Sequence, residues 1–177
     1  MDKRQKILIV DDSEFNRDML KEILRETYNY LEAENGNQAI QIMGENPGID
    51  LMLLDINMPQ MNGFEVLKWM NQSRCIDETP VIMISSEDAV DTMRKAYELG
   101  ITDYITRPFD SVIVKKRVQN TLGLYMKQKH LINVVYNQVW SVGHASGQVP
   151  VVHHYWCRHL EYSTGDRKST RLNSSHT

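Results

Sequence analysis

Apolar residues in this chain gather into short unbroken runs, separated by longer stretches in which they recur at helical spacing. Ile7 to Val10, Leu51 to Leu54 and Val81 to Ile84 are each runs of four. Runs without alternation predict strands covered on both faces, as in a parallel sheet, although periodicity by itself leaves a buried helix segment open. After the first run, Ser13 is a helix N-cap candidate. Phe15, Met19, Leu20, Ile23 and Leu24 then fall on one helical face, with Glu14, Asn16, Arg17, Lys21 and Glu22 on the wet side. Tyr28 to Glu32 reads as a second strand and Asn35-Gly36-Asn37 as a turn. Ala39, Ile40, Ile42 and Met43 form a second helix that ends between Gly44 and Gly48.

The run Leu51 to Leu54 is the third strand and ends in Asp55, and Met58-Pro59 stops the ladder because proline lacks an N–H and holds its predecessor extended. Asn62-Gly63 leads into a helix carrying Phe64, Val66, Leu67 and Met70, with Trp69 half exposed. Pro80 opens the fourth strand, which ends in Ser85-Ser86. Asp88 begins a helix with Ala89, Val90, Met93, Ala96, Tyr97 and Leu99 inward, and Gly100 ends it. Asp103 to Thr106 is a fifth strand. Arg107-Pro108-Phe109 breaks the chain before a final helix from about Ser111. Five strands alternating with five helices over short connections predict an α/β fold, a (βα)5 doubly wound parallel sheet.

The last helix continues an apolar stripe through Val114, Val118, Thr121, Tyr125, Ile132, Val135 and Val139, interrupted near Gln128. A stripe of this spacing suits a signalling helix leading to another domain, a dimer seam, or a solvated extension. Beyond it the pattern fails. Val149, Val151, Val152, Tyr155, Trp156 and Leu160 are too scattered to repay the ordering of the segment, so residues 140–177 are expected to be unstructured. His153, His154, Cys157 and His159 have the side chains of zinc ligands, but no helical or strand period holds them in place, and no metal site is expected there.

Composition narrows the picture. A chain of 177 residues fits one ordinary domain with an appendage. Cys75 and Cys157 lie far apart without metal spacing, which suits free thiols in a reducing, cytoplasmic compartment. No run is long enough for a signal-peptide core or a membrane span. Residues 1–110 hold 11 Lys/Arg against 21 Asp/Glu, and residues 111–177 hold 9 against 2. The basic residues form no dense run with interleaved aromatics, so nucleic-acid binding is not indicated.

The chemistry gathers at strand ends. Asp11 and Asp12, Asp55 and Ser85 each follow or end an apolar strand, and Arg107 follows the fifth. In open α/β sheets ligands collect at the carboxyl ends of strands. Carboxylates packed together repel unless a cation shares their site, and Mg²⁺ binds through one or two carboxylates, waters and phosphate oxygens. One carboxylate could then act as a nucleophile toward phosphorus, with the Ser85 hydroxyl and the Arg107 cation on the phosphoryl oxygens.

The ordered fragments Asp11-Asp12, Asp55-x-x-Met58-Pro59-x-Met61-x-Gly63 and Pro108-Phe109 resemble the response-regulator receiver domain of two-component and phosphorelay signalling. The resemblance covers residues 6–124, leaving 125–139 as a helical extension and 140–177 as the tail. It implies strand order 2-1-3-4-5, the flavodoxin-like order for which a receiver protein is the standard example. It also implies that Asp11, Asp12, Asp55 and the backbone carbonyl of Asn57 bind Mg²⁺, that Asp55 is the phosphoacceptor, and that Ser85 and Tyr104 form the switch. The family's lysine is Arg107 here, which keeps the charge but exchanges an ammonium for a planar fork. The Arg107–Pro108 bond resembles one that is cis in the family. Ser86, where receivers usually carry alanine or glycine, is expected to narrow access to the phosphoryl site.

The implied partners are a sensor histidine kinase or phosphotransfer protein upstream and an output domain downstream, with a homodimer possible and no membrane. The implied role is a switch, not an enzyme. Rival readings are the front of a cyclic-dinucleotide synthesis or hydrolysis enzyme, a DNA-binding regulator including the sporulation type, and a docking receiver that is never phosphorylated. Residues 166–176 resemble a translated sequencing adapter, which implies an artefactual end.

Overall fold

The computed structural model describes residues 4–86 and 90–146, with the backbone alone described for Glu26 and for 136–146. Five parallel strands, β1 (Lys6–Val10), β2 (Asn29–Ala33), β3 (Leu51–Asp55), β4 (Val81–Ser85) and β5 (Asp103–Thr106), form one sheet in the order β2-β1-β3-β4-β5. Between and after them run α1 (Glu14–Leu24), α2 (Gly36–Glu45), α3 (Gly63–Gln72), α4 (Val90–Glu98) and α5 (Ser111–Ser146). The doubly wound fold and its strand order agree with expectation.

The unbroken apolar runs have a direct cause. Leu8, Val10, Met52, Leu54, Val81 and Met83 point to one face of the sheet and pack with Ala39, Val66, Leu67, Met70 and Ala96 of α2, α3 and α4. Ile7, Ile9, Leu51, Leu53, Ile82 and Ile84 point to the other and pack with Leu20 and Leu24 of α1 and Val114, Val118 and Leu122 of α5. A strand buried on both faces has no wet face to alternate with.

Register brings the strand ends level. Val10 pairs with Leu54 and Asp55 with Ile84, so Asp11, Asp55 and Ser85 emerge beside one another at the carboxyl edge. Three side chains accept the first helical N–H groups: Ser13 for α1, Asn35 for α2, and Asn62 for α3, where Glu65 returns the bond to complete a capping box. Asn35-Gly36-Asn37 is therefore the start of α2 and not a separate turn.

Several faces differ from expectation. Phe15, placed inward by its apolar character, is 70% exposed, whereas Arg17, placed on the wet side, is 7% exposed. The inward stripe of α1 runs Arg17-Leu20-Leu24 because the slot at residue 17 offers polar partners. Val90 is 68% exposed and Tyr97 is also exposed, so α4 buries only Ala96. Trp69 is partly buried, as expected. Asp88 and Ala89 lie outside the described residues.

The residues up to Asn133 form one compact unit, and those from Val134 belong to another. Within the first, α5 is buried at Val114, Val118, Thr121 and Leu122 and then exposes Leu124, Met126, Leu131 and Ile132. The helix itself runs past Val139 to Ser146. His153, His154, Cys157 and His159 lie outside the described residues. Among the described residues, no helix is long and apolar enough to cross a membrane.

Candidate functional site at the carboxyl edge of the sheet

Two carboxylates built on the same plan meet different surroundings. Asp11 follows β1 and is fully buried. Its Oδ1 accepts the Ser13 N–H at 2.9 Å and the Asn16 side-chain amide at 3.1 Å, and its Oδ2 accepts from Arg107 Nη2. Its backbone is held equally firmly: the N–H donates to the Ala33 carbonyl at 3.1 Å, and the carbonyl accepts from Arg17 Nη1 at 2.8 Å. Asp12, the next residue, is exposed.

Asp55 ends β3 and is 2% exposed. Its Oδ1 lies 3.1 Å from Arg107 Nη2, within ion-pair reach but not aligned as a hydrogen bond. That oxygen is a buried polar atom without a hydrogen-bond partner among the described residues, as is Arg107 Nε. Burial raises the Asp55 carboxyl from the ordinary range to about 6; Arg107 opposes this and the Asp11 carboxylate adds to it, with smaller contributions from the Ile56 N–H (lowering) and Asp12 (raising).

One carboxylate oxygen from each of Asp11, Asp12 and Asp55 falls within 4.8 Å of the others. The donors are all hard oxygens, and one of the three residues, Asp55, carries a buried oxygen without a hydrogen-bond partner among the described residues. That set suits a hard divalent cation such as Mg²⁺ better than a soft metal.

Ser85 is buried at the end of β4, and its carbonyl accepts the Arg107 N–H at 2.9 Å. Arg107 is thereby placed at the mouth of the site, with its guanidinium carbon 5.7 Å from the centre of the Phe109 ring. The Arg107–Pro108 peptide is cis, as the resemblance implies. Tyr104 is buried within β5, opposite Met83 of β4. Asn57 and Ser86 are exposed in the loops after β3 and β4.

The α3 side of the loop after β3 is fixed by Gly63. A Cβ there would come within 2.3 Å of the Asp55 carbonyl oxygen, and the Gly63 N–H donates to the Ile56 carbonyl at 2.9 Å. The spacing from Asp55 to Gly63 is thus set by a close approach of backbone to backbone.

Arg17 is the functional neighbour that sequence reasoning missed. Besides the Asp11 carbonyl it reaches Glu32 of β2 at 3.1 Å, and Lys21 reaches the same carboxylate at 2.6 Å. The available signal was position: residues 17, 20 and 24 share one helical face, so an arginine there lies in line with two core leucines.

Comparison with known proteins gives a consistent result. The profile of the response regulator receiver domain family matches residues 7–119. The chain is 32% identical over 120 residues to a chemotaxis protein CheY homolog of Campylobacter jejuni, covering 67% of this chain and 92% of that protein. It is 36% identical over 118 residues to the transcriptional regulatory protein CpxR of Escherichia coli K12, covering 66% of this chain and 49% of that one. Among solved structures, it superposes on a CheY-like response regulator receiver domain protein from Methanospirillum hungatei with a TM-score of 0.64 and 26% identity, covering 71% of this chain and 99% of the other.

Proposed function

The chain belongs to the response-regulator receiver domain family, phosphoacceptor modules that relay signals through a conformational switch, and on that premise we propose that Asp55 is its phosphoacceptor. The observation that carries this is the buried Asp55 Oδ1 at the end of β3, which has no hydrogen-bond partner among the described residues. Of the two buried carboxylates, Asp11 has both oxygens hydrogen-bonded, which leaves Asp55 as the one free to react.

In this reading Asp55 attacks the phosphorus of a phosphohistidine. The new O–P bond forms as the P–N bond breaks, and the imidazole leaves on the donor, a sensor histidine kinase or a phosphotransfer protein. Asp11, Asp12, Asp55 and the Asn57 carbonyl would hold Mg²⁺, which neutralises charge on the phosphoryl oxygens. Arg107, whose Nη2 lies 3.1 Å from Asp55 Oδ1, supplies a second positive charge. The Ser85 hydroxyl takes a phosphoryl oxygen, and Tyr104, opposite Met83 in the neighbouring strand, answers the change and passes it to an output domain.

Incubation with acetyl phosphate and Mg²⁺, followed by intact-mass measurement, tests the assignment. A single phosphoryl adduct is expected on the parent and none on Asp55→Asn. An undiminished adduct on that variant overturns the assignment.

A further inference from the structure

We propose that Arg107 acts as a tethered cation that occupies the divalent-metal position of the metal-free protein, so that metal binds only after the guanidinium is displaced. This rests on the reading above that Asp11, Asp12 and Asp55 form the metal site.

The argument begins with what Asp11 has left to offer. Its Oδ1 is committed to the Ser13 N–H and the Asn16 amide, both within the same loop and helix start. Only Oδ2 remains for a cation, and Arg107 Nη2 holds it. That same nitrogen stands 3.1 Å from Oδ1 of Asp55, the other buried carboxylate of the cluster. One nitrogen therefore bridges the two buried carboxylates.

A metal ion would need the same place. Mg²⁺ binds oxygens at about 2.1 Å, so two oxygens on one ion lie no more than about 4 Å apart, with the ion between them. The guanidinium nitrogen already fills that interval, and a dication cannot share it with a positive group.

The lodged guanidinium is held firmly but incompletely. Its Nη2 serves two carboxylates, while its Nε is buried with no hydrogen-bond partner among the described residues. Withdrawal would return that N–H to water. The arrangement is thus a two-state one, Arg107 in or metal in, and the apparent metal affinity is the intrinsic affinity reduced by the fraction of molecules with Arg107 withdrawn. If that state is a minor one at roughly 10% or less, removing the guanidinium tightens metal binding by about tenfold or more.

The test uses the full chain, unphosphorylated, at pH 8, titrated calorimetrically with MgCl₂. Arg107→Met keeps most of the side-chain length without the charge, and Arg107→Gln serves as a second variant should the first fold poorly. Both are expected to bind Mg²⁺ about tenfold or more tighter than the parent. Both should also show a larger rise of thermal midpoint at a fixed Mg²⁺ concentration. Equal or weaker binding in folded variants, with the parent still binding, overturns the proposal and leaves the ligand set standing. No binding to parent or variants overturns the ligand set and this proposal together.

Discussion

The ends of β1 and β3 are written alike in the sequence, an apolar run closing on aspartate, yet they are different chemical objects. Asp11 is surrounded by donors from its own loop and helix, from α1 through Arg17, and from Arg107. Of these donors Asp55 shares Arg107, and its Oδ1 has no hydrogen-bond partner among the described residues. In the proposed reading, the difference separates a carboxylate held in place from one left to react. A carboxylate with its lone pairs engaged is fixed in orientation and suited to hold a cation, while one buried with a lone pair unengaged is costly in the ionised form and ready to react.

The comparison can be broken most severely at the β3 end. Gly63→Ala places a methyl group 2.3 Å from the Asp55 carbonyl oxygen and 3.1 Å from the Ile56 Cα, both backbone atoms that cannot step aside. A loss of about 3 kcal/mol is expected, at the upper end of overpacking effects. Urea unfolding measures it, with Gly44→Ala as the control. No atom lies within 4 Å of that added methyl group, and an exposed helical glycine gains stability on becoming alanine. Equal stability of the two variants would mean that the approach of α3 to Asp55 is not fixed by Gly63.

The next effect is of similar size and opposite sign. Asp55 has its carboxyl raised to about 6, chiefly by burial. Between the ordinary carboxyl value near 4 and about 6, the folded protein holds a proton that the unfolded chain has released. Stability contributed by this group is therefore present below that window and lost as pH rises through it. The full cost above pH 6 is about 3 kcal/mol, from roughly two units at 1.36 kcal/mol each. In metal-free buffer Asp55→Asn should match the parent near pH 4 and exceed it by up to that amount at pH 7.5. Urea unfolding at several pH values reads this, and a gain that does not vary with pH would assign the cost elsewhere.

How much of this was legible beforehand depends on what kind of partner each residue has. The sheet was legible because Ile7 to Val10, Leu51 to Leu54 and Val81 to Ile84 are buried on both faces, and double burial removes alternation from the sequence itself. The strand order came from the resemblance, since nothing in an apolar run states its neighbour. The α1 face was misread because the partners of Arg17 are a backbone carbonyl of β1 and a carboxylate of β2, neither visible in the helix's own pattern. Val90 and Tyr97 misled for a related reason: α4 packs through the small Ala96, so its larger apolar groups are left outside. The contrast between Asp11 and Asp55 was hidden for the same cause, being made by donors from other elements.

Arg17 sharpens the β1 side of the comparison. Arg17→Ala removes the bond to the Asp11 carbonyl and the pair with Glu32, while Lys21 stays on Glu32 and limits the charge left unpaired. A loss of about 2 kcal/mol is expected, the range for a buried hydrogen bond involving a charged group. Arg17→Met, which keeps the apolar stem, should lose nearly as much if the donor matters and little if only packing does. Unfolding free energies of the two variants separate these cases. A Met variant as stable as the parent would reduce Arg17 to a filler.

The smallest effect is the most discriminating for α1. Phe15 is the largest apolar residue of that helix, and an inward Phe15 cut to alanine would cost about 3–5 kcal/mol. At 70% exposure it has little burial to lose, so Phe15→Ala should change stability by no more than about 0.5 kcal/mol. The helix then depends on Leu20 and Leu24 for its packing and on Arg17 for its hold on Asp11, with Phe15 outside both. Denaturant midpoints of Phe15→Ala and Leu20→Ala, compared at the same slope, decide the matter. If the Phe15 variant loses as much as the Leu20 variant, the inward stripe of α1 is not Arg17-Leu20-Leu24, and Asp11 is anchored from a different face than the one described.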